Sequence, residues 1–576
     1  MPGSTQSTDR PAIELRVGGS PVEPRLAQDV IEVDVAEEVN RHARCTLLVQ
    51  NWDPDQRAVR WSDSGPLVPG AEVEVSLGYH SSLSTVFAGV VTAVTGHFTA
   101  DQAPTLRVEA RSRSILLAGP ARSRILEETT DGDLAGAIAS DYGLQADAEA
   151  GATRPIAVID RERPWEILVA RAEQLGFVTY VRDRTLVFRA PAAAQQPPAL
   201  RWTKDFVELH VTQDVATLAG SANADGWDPD QQQQVTSAAA SPTGGLGTGD
   251  RRDHTSVVDD LGWALREDHP ASPAIATTAE TDLLATGRTR CDELRHVSGS
   301  ARIVGDATLR CDSWIQVDGA GSRFGGPLYL GSVRHRLCRG SFTTELGLGH
   351  PAALTPPAPR AATGSGRTLV IGVVTDLADP DDHARVKVAF PWAGASDAVW
   401  ARLATPYAGD QQGLYVVPDV DQEVLVGFVD GSTDDPVVLG SLWSGAFAPP
   451  YTPDSDNAVR TLKTASGHEL RLTEGSDGGI LLTTSGGHEV ALSDQDSKIT
   501  LKASGAGNRI EISDDGIVLD ASQGDISLKA AGGTVDLKAL KLTGKADSTA
   551  SLEASTTFDI KASATLGLRG AMVNIN

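Results

Sequence analysis

The sequence predicts a mainly β protein with minor α content, on three observations. Glycine is abundant at 57 residues while aromatics make up only 5%, a balance that suits short strands joined by many turns. Several segments, such as Ala71 to Leu77, alternate apolar and polar residues with the period of two of a half-buried strand. The C-terminal stretch repeats short apolar pairs at a regular spacing, as an internal structural repeat does.

In chain order, Ala71 to Leu77, Val86 to Val94 and Thr105 to Ala110 read as strands. Asp131 to Tyr142 reads as a helix stopped at Gly143. Pro164 to Leu175 reads as another: Trp165, Leu168, Ala172 and Leu175 share one face, Pro stands at the start, and Gly176 lies just past the end. Residues 191–200 break the pattern as a loop, and 231–250 form a long polar insertion. A helix over about 279–295 leads to strands at Ser313 to Val317 and Leu328 to Val333. Residues 351–367, Pro-rich and then Gly/Ser-rich, form a linker that cannot hold a core. Beyond it, 368–448 contain five or so short strands separated by Asp, Gly and Pro turns, the pattern of a small OB-type barrel.

From 458 to 576 the composition shifts to Gly, Ser, Thr, Asp and Lys with isolated apolar pairs. Leu470 and Leu472, Val490 and Leu492, and Ile510 and Ile512 recur at a spacing of 20 residues, with Ile480, Ile499 and Ile517 opening the intervening units. The units then shorten: Ile526 and Leu528, Val535 and Leu537, Phe558 and Ile560, Leu566 and Leu568. Such a ribbon cannot bury its apolar face alone. It can coil on itself as a solenoid, or three chains can intertwine as a β-helix with these residues packed on the common axis. The short final units favour three chains, because one coil of a single-chain β-helix takes about 18 or more residues.

The formal charge of −26 excludes a basic nucleic-acid surface and a basic membrane-binding face. Cys45, Cys291, Cys311 and Cys338 form no C-x-x-C pair, and each lies in or beside an apolar, strand-like run, so buried reduced thiols are expected. The first residues lack the apolar core of a signal peptide, so synthesis in the cytoplasm is expected.

Two His-Glu pairs, His468-Glu469 and His488-Glu489, suggest half of the zinc motif H-E-x-x-H. The fourth residue after each His is leucine, Leu472 and Leu492, so the second imidazole of the motif is missing. Both histidines read as turn residues of equivalent repeats. The acidic run Asp379-Pro-Asp-Asp-His383 reads as a solvated turn, and His335 as a structural histidine. The chain holds no P-loop, no G-x-S-x-G elbow and no dinucleotide fingerprint. No catalytic residue, metal ligand or cofactor is therefore assigned.

Taken together, the segments resemble the VgrG-type spike proteins of contractile injection systems, in which a phage hub of the late-control protein D type is fused to a spike. In residues 1–350 the resemblance rests on Gln50-Asn-Trp-Asp-Pro, Gly70-Ala-Glu-Val, Phe87-Ala-Gly-Val-Val, Pro164-Trp-Glu-Ile-Leu, Gly226-Trp-Asp-Pro and Val333-Arg-His-Arg-Leu. In the barrel it rests on Asp379 to Trp392, Pro418 to Phe428 and Asp435 to Trp443, and in the repeats on Gly467-His-Glu-Leu. Trp52 to Gln56 and Trp227 to Gln231 repeat one pentapeptide, which fits the paired hub barrels of the family.

The resemblance implies hub β-barrels with helical inserts, an OB-fold barrel and an intertwined trimeric β-helix. It implies a homotrimer that docks on inner-tube and baseplate proteins, carries a PAAR-like tip protein on Val573, Asn574, Ile575 and Asn576, and meets a membrane only by puncturing it. Effector proteins stand as an open further partner. The particle would be phage-tail-like and suited to release outside the cell. Only Ser444 to Val459 separate barrel and needle, too few residues for the lysozyme found there in some phage spikes. The rival reading is a β-solenoid carbohydrate-active enzyme with accessory β-domains.

Overall fold

A computed structural model describes residues 10–575 except 64, 217–220, 239, 241–255, 258–259, 262–266, 269–274, 276, 352–368, 392–397, 430–434 and 506. The linker expected at 351–367, all but its first residue, and positions 241–250 of the polar insertion lie outside the described residues. The chain divides into two units, residues 1–447 and 448–576.

The first unit is built on a 13-stranded sheet. Its strand Gly326–Cys338 pairs antiparallel with Val30–Glu38, joining two halves with separate aliphatic cores. Along Val30–Glu38, Val33 and Val35 are fully buried while their neighbours are half-buried, as period-two alternation dictates.

The two copies of the pentapeptide adopt one local structure. Trp52 pairs with Val59 and Asp53 with Ala58; Trp227 pairs with Gln234 and Asp228 with Gln233. In each, the first aspartate accepts backbone N–H groups from two and three residues on, the Asx-turn that closes a hairpin. The second hairpin falls within the expected insertion, where Gln233–Thr236 is a strand.

A separate core joins the helices Asp131–Asp141 and Pro164–Leu175 to a small three-stranded sheet. Thr130 caps the first helix in a capping box with Asp133. Gly176 closes the second in the left-handed conformation, at φ 61°. The helix Thr278–His296 crosses here. A Cβ on Gly287 would lie 2.2 Å from the Leu175 carbonyl oxygen, so glycine permits the close approach. Cys291 sits on this helix, as the helix expected over 279–295 requires, and not in a strand-like run; its thiol is buried. All four cysteines are free, and burial pushes the Cys45, Cys291 and Cys311 thiols up.

Two buried polar residues of this unit, Glu37 and His335, are held by specific partners. Glu37 forms an ion pair with Arg310, which also donates to the Thr85 carbonyl at 2.7 Å. His335 is fully buried. Its Nε2–H donates to the Leu309 carbonyl at 3.1 Å, and its Nδ1 faces the Thr344 hydroxyl at 3.1 Å. Burial pushes His335 and His350 down to about 4. An unfolded histidine titrates near 6.5, so between these values the unfolded chain binds the extra proton. Stability is therefore full above about pH 6.5 and falls as pH drops towards 4, on the order of 3 kcal/mol for each of the two histidines. The unfolding midpoint followed from pH 7 to pH 4 should show this decline; a flat profile would mean that these imidazoles are not buried neutral.

Leu369–Asp376, Val386–Ala389, Ala398–Leu403, Glu423–Phe428 and Pro436–Ser441 close into a five-stranded barrel. Its interior is almost entirely valine, with Phe390 and Ala401, as fits β-branched residues in a small barrel. Asp379 accepts backbone N–H groups from Asp381, His383 and Arg385 and the Arg385 guanidinium. Those bonds hold its carboxyl well below the usual range. The acidic run is thus a turn whose leading carboxylate serves its own backbone.

In the second unit, seven five-residue strands from Val459–Lys463 to Gly516–Asp520 form an antiparallel meander. Within one chain this is neither coil nor solenoid. Residues 521–575 carry no strand, and all but half-buried Ala521 are exposed.

Candidate functional site

Each five-residue strand of the meander sends alternate side chains to opposite faces, and the register stacks the apolar ones. One ladder runs Leu472, Ile480, Leu492, Ile499, Ile512, Ile517. The other runs Leu462, Leu470, Leu482, Val490, Leu501, Ile510, Leu519. Apart from half-buried Val490, these residues are 38% to 69% exposed. The opposite face carries Thr461, Arg471, Leu481, Ala491, Thr500, Glu511 and Val518. A contiguous aliphatic face open to water is the physical signature of an interaction surface. Because the ladder side chains are already about half covered, covering the rest gains roughly half of the ~1.5–3 kcal/mol of full burial, about 1 kcal/mol each.

Of the residues expected on a common axis, Leu470, Leu472, Val490, Leu492, Ile510 and Ile512 lie together on this face. The 20-residue spacing is two strands of the meander. The intervening strands run the other way and add Ile480, Leu482, Ile499, Leu501, Ile517 and Leu519 to the same ladders. An axis assignment by the 20-residue echo alone omits these, although their alternation marks them. Ile526, Leu528, Val535, Leu537, Phe558, Ile560, Leu566 and Leu568 are 51% to 67% exposed and are not brought together within one chain. Val573 is 49% and Ile575 83% exposed, Asn574 is exposed too, and Asn576 lies outside the described residues.

The two His-Glu pairs have structural work in this sheet. Gly467, Gly487 and Gly507 each take positive φ, 93°, 84° and 71°, turning the chain just before His468, His488 and Asn508. His468 Nδ1 accepts the Ser485 backbone N–H at 3.2 Å, His488 Nδ1 accepts that of Ser504 at 3.3 Å, and Asn508 Oδ1 accepts that of Gln523 at 3.3 Å. Each side chain therefore fastens its turn to the next turn along the same edge. Accepting at Nδ1 leaves the proton of a neutral imidazole on Nε2. Glu469 accepts from the Tyr451 hydroxyl at 2.7 Å and the Thr461 hydroxyl at 3.1 Å, which lowers its carboxyl below the usual range. Among the described residues no group of three His, Cys, Asp or Glu side chains could hold a metal ion.

Comparison with known proteins follows the same divisions. The family model of the Alg8 N-terminal domain matches residues 7–339. That of the type VI secretion system/phage-baseplate injector OB domain matches 370–443, and that of the phage baseplate V C-terminal trimerisation domain matches 479–541. The chain is 34% identical over 89 residues to the actin cross-linking toxin VgrG1 of Vibrio cholerae, a match covering 15% of this chain and 8% of that protein. It is 33% identical over 134 residues to the type VI secretion system spike protein VgrG2a of Pseudomonas aeruginosa, covering 22% and 16%. The chain thus spans only 8% and 16% of the length of these relatives. Among solved structures, the half-lidded Francisella PdpA–VgrG complex has a chain similar at TM-score 0.51 and 10% identity, covering 89% of this chain and 88% of that one. This likeness is one of fold.

Proposed function

The chain belongs to the family of the Alg8 N-terminal domain, and from that premise we propose that it is the structural central spike of a contractile injection system. Three copies would join their C-terminal strands into one needle, while the N-terminal regions dock on inner-tube and baseplate proteins. Contraction of a sheath would drive the needle through the target envelope, so the work is mechanical. Assembly would begin in the cytoplasm and end in a phage-tail-like particle, with release from the cell and effector cargo as further parts of the proposal.

The observation that carries this reading is the pair of uncovered aliphatic ladders. Their width fits three copies and not four. A five-residue strand spans about 17 Å at ~3.4 Å per residue. Three such sheets set as the sides of a triangle each stand about 5 Å from the axis, half the ~10 Å at which sheets pack face to face. Four sheets would stand about 8.5 Å away and leave a channel that aliphatic side chains cannot fill. The match of 479–541 to a trimerisation domain supports the same number. Light-scattering mass tests it: the expected value is three times 60.4 kDa, and a stable monomer would overturn the reading.

The exposed end at Val573 to Ile575 is proposed as the seat of a PAAR-like tip protein. Val573→Asp with Ile575→Asp should abolish capture of a purified tip protein of that kind and leave the oligomer mass unchanged. Undiminished capture would place the tip elsewhere.

A further inference from the structure

The two edges of the C-terminal sheet differ in chemistry. The turns on one edge, 464–468, 484–488 and 503–508, hold no Asp, Glu, Lys or Arg, and end in His468, His488 and Asn508. The turns on the other edge each carry two carboxylates: Glu474 and Asp477, Asp494 and Asp496, Asp514 and Asp515. Lys498 lies beside this second edge and is committed to Glu511 at 3.6 Å. On the neutral edge, Nδ1 of His468 and His488 is occupied by backbone N–H groups within the chain, and Nε2–H remains as an outward donor on two exposed imidazoles.

The levels of the turns match as well. Successive turns on one edge lie two strands apart, about 9.6 Å, and the opposite edge is offset by one strand, about 4.8 Å. When copies are related by rotation about the needle axis, the neutral edge of one meets the acidic edge of the next. Each neutral turn then falls midway between two acidic turns, as teeth of a zipper do. Turning one copy end for end would instead set acidic edge against acidic edge, which like-charge repulsion opposes.

We infer that these edges recognise one another between copies of this chain. The turns bearing His468 and His488 interleave with the acidic turns of the neighbouring copy, and the imidazole Nε2–H groups donate to its carboxylates. The apolar ladders supply the association, whereas the edges specify that all copies point the same way at the same height. This inference rests on the self-association proposed above and adds the residues that fix orientation.

Paired cysteines test it. His488→Cys combined with Asp494→Cys, and His488→Cys combined with Asp477→Cys, place thiols on opposite edges of one sheet. Within a chain these edges are about 17 Å apart, far beyond the ~7 Å limit on Cα separation in a disulfide. Mild oxidation of the full-length protein should convert most of it to covalent trimer on a non-reducing denaturing gel for at least one pair. The single-cysteine variants should run as monomer, since the native cysteines are buried or half-buried. A second measurement uses His488→Ala and Asp494→Ala: their effects on the denaturation midpoint of the assembly should total less than the sum of the two single losses. A wild-type mass of three chains with no cross-link and additive losses would overturn the edge inference alone. A monomeric wild type would overturn the self-association and the edge inference with it.

Discussion

Leu492→Asp is expected to reduce the assembly to single chains of 60.4 kDa. Leu492 stands in the middle of its ladder, between Ile480 and Ile499, on the face that closure of three sheets would seal. In the assembly, three carboxylates would approach one apolar axis, and the ladder's one cation, Arg460 at its head, lies three strands away. A buried unpaired carboxylate is far costlier than the ~1 kcal/mol that covering the leucine contributed. In the single chain the same position is 39% exposed, so the variant should still fold and show the mass of a monomer. Thr500→Asp, on the opposite face, should leave the mass unchanged. Ile526→Asp and Leu537→Asp extend the test into 521–575: loss of assembly would place them on the same axis. Retention of the full mass by Leu492→Asp would assign the ladders to some other partner.

Asp312→Ala should be the most damaging single substitution in the first unit, at about 3–5 kcal/mol. The Asp312 side chain is fully buried. It accepts the Tyr180 hydroxyl at 3.0 Å, the Tyr329 hydroxyl at 2.9 Å and the Ala192 backbone N–H at 2.8 Å, and it forms an ion pair with Arg189 at 3.0 Å. These partners come from the small sheet beside the helices and from the large sheet, so one carboxylate ties the two together. Alanine would leave two phenols and the Ala192 N–H without this acceptor, and Arg189 with only Asp147 and the Ala190 carbonyl. It would also occupy a left-handed backbone position, φ 56°, which Asp and Asn tolerate better than Ala. Asp312→Asn should recover part of the loss. Thermal unfolding and limited proteolysis would show the helical segment released first, while the C-terminal mass is retained; an unchanged midpoint would show that the cluster does not bear stability.

The distribution of such groups explains how much could be read from the sequence. Helix ends were legible because Pro164 and Gly176 act on their own backbone, and the strands of the barrel because alternation is a local signal. The WDPDQ hairpins were legible as a repeat, though the strand Gln233–Thr236 inside a polar stretch was not, since its sequence carries no apolar alternation. Cys291 does not lie in or beside an apolar strand-like run: it falls within the helix that the sequence itself predicts over about 279–295, and its neighbours Arg290, Asp292 and Glu293 are charged. The roles of Asp312, Glu37 and Arg310 had no sequence signal at all. Apart from Tyr329, 17 positions from Asp312, their side-chain partners lie more than a hundred positions away, and 76 acidic residues offer no way to choose among them.

The sequence by itself determined which side chains share a face of each strand, where the chain turns, and that the last segment carries more apolar surface than one ribbon can hide. These follow from the two-residue period of a strand and from the conformational freedom of Gly467, Gly487 and Gly507. Only the tertiary structure decided that the 20-residue echo is a meander rather than a coil, which strands meet at the seam between Val30–Glu38 and Gly326–Cys338, and which backbone groups His468 and His488 fasten. Pairing between distant strands depends on where the whole chain has already gone, and a local pattern is compatible with many such pairings.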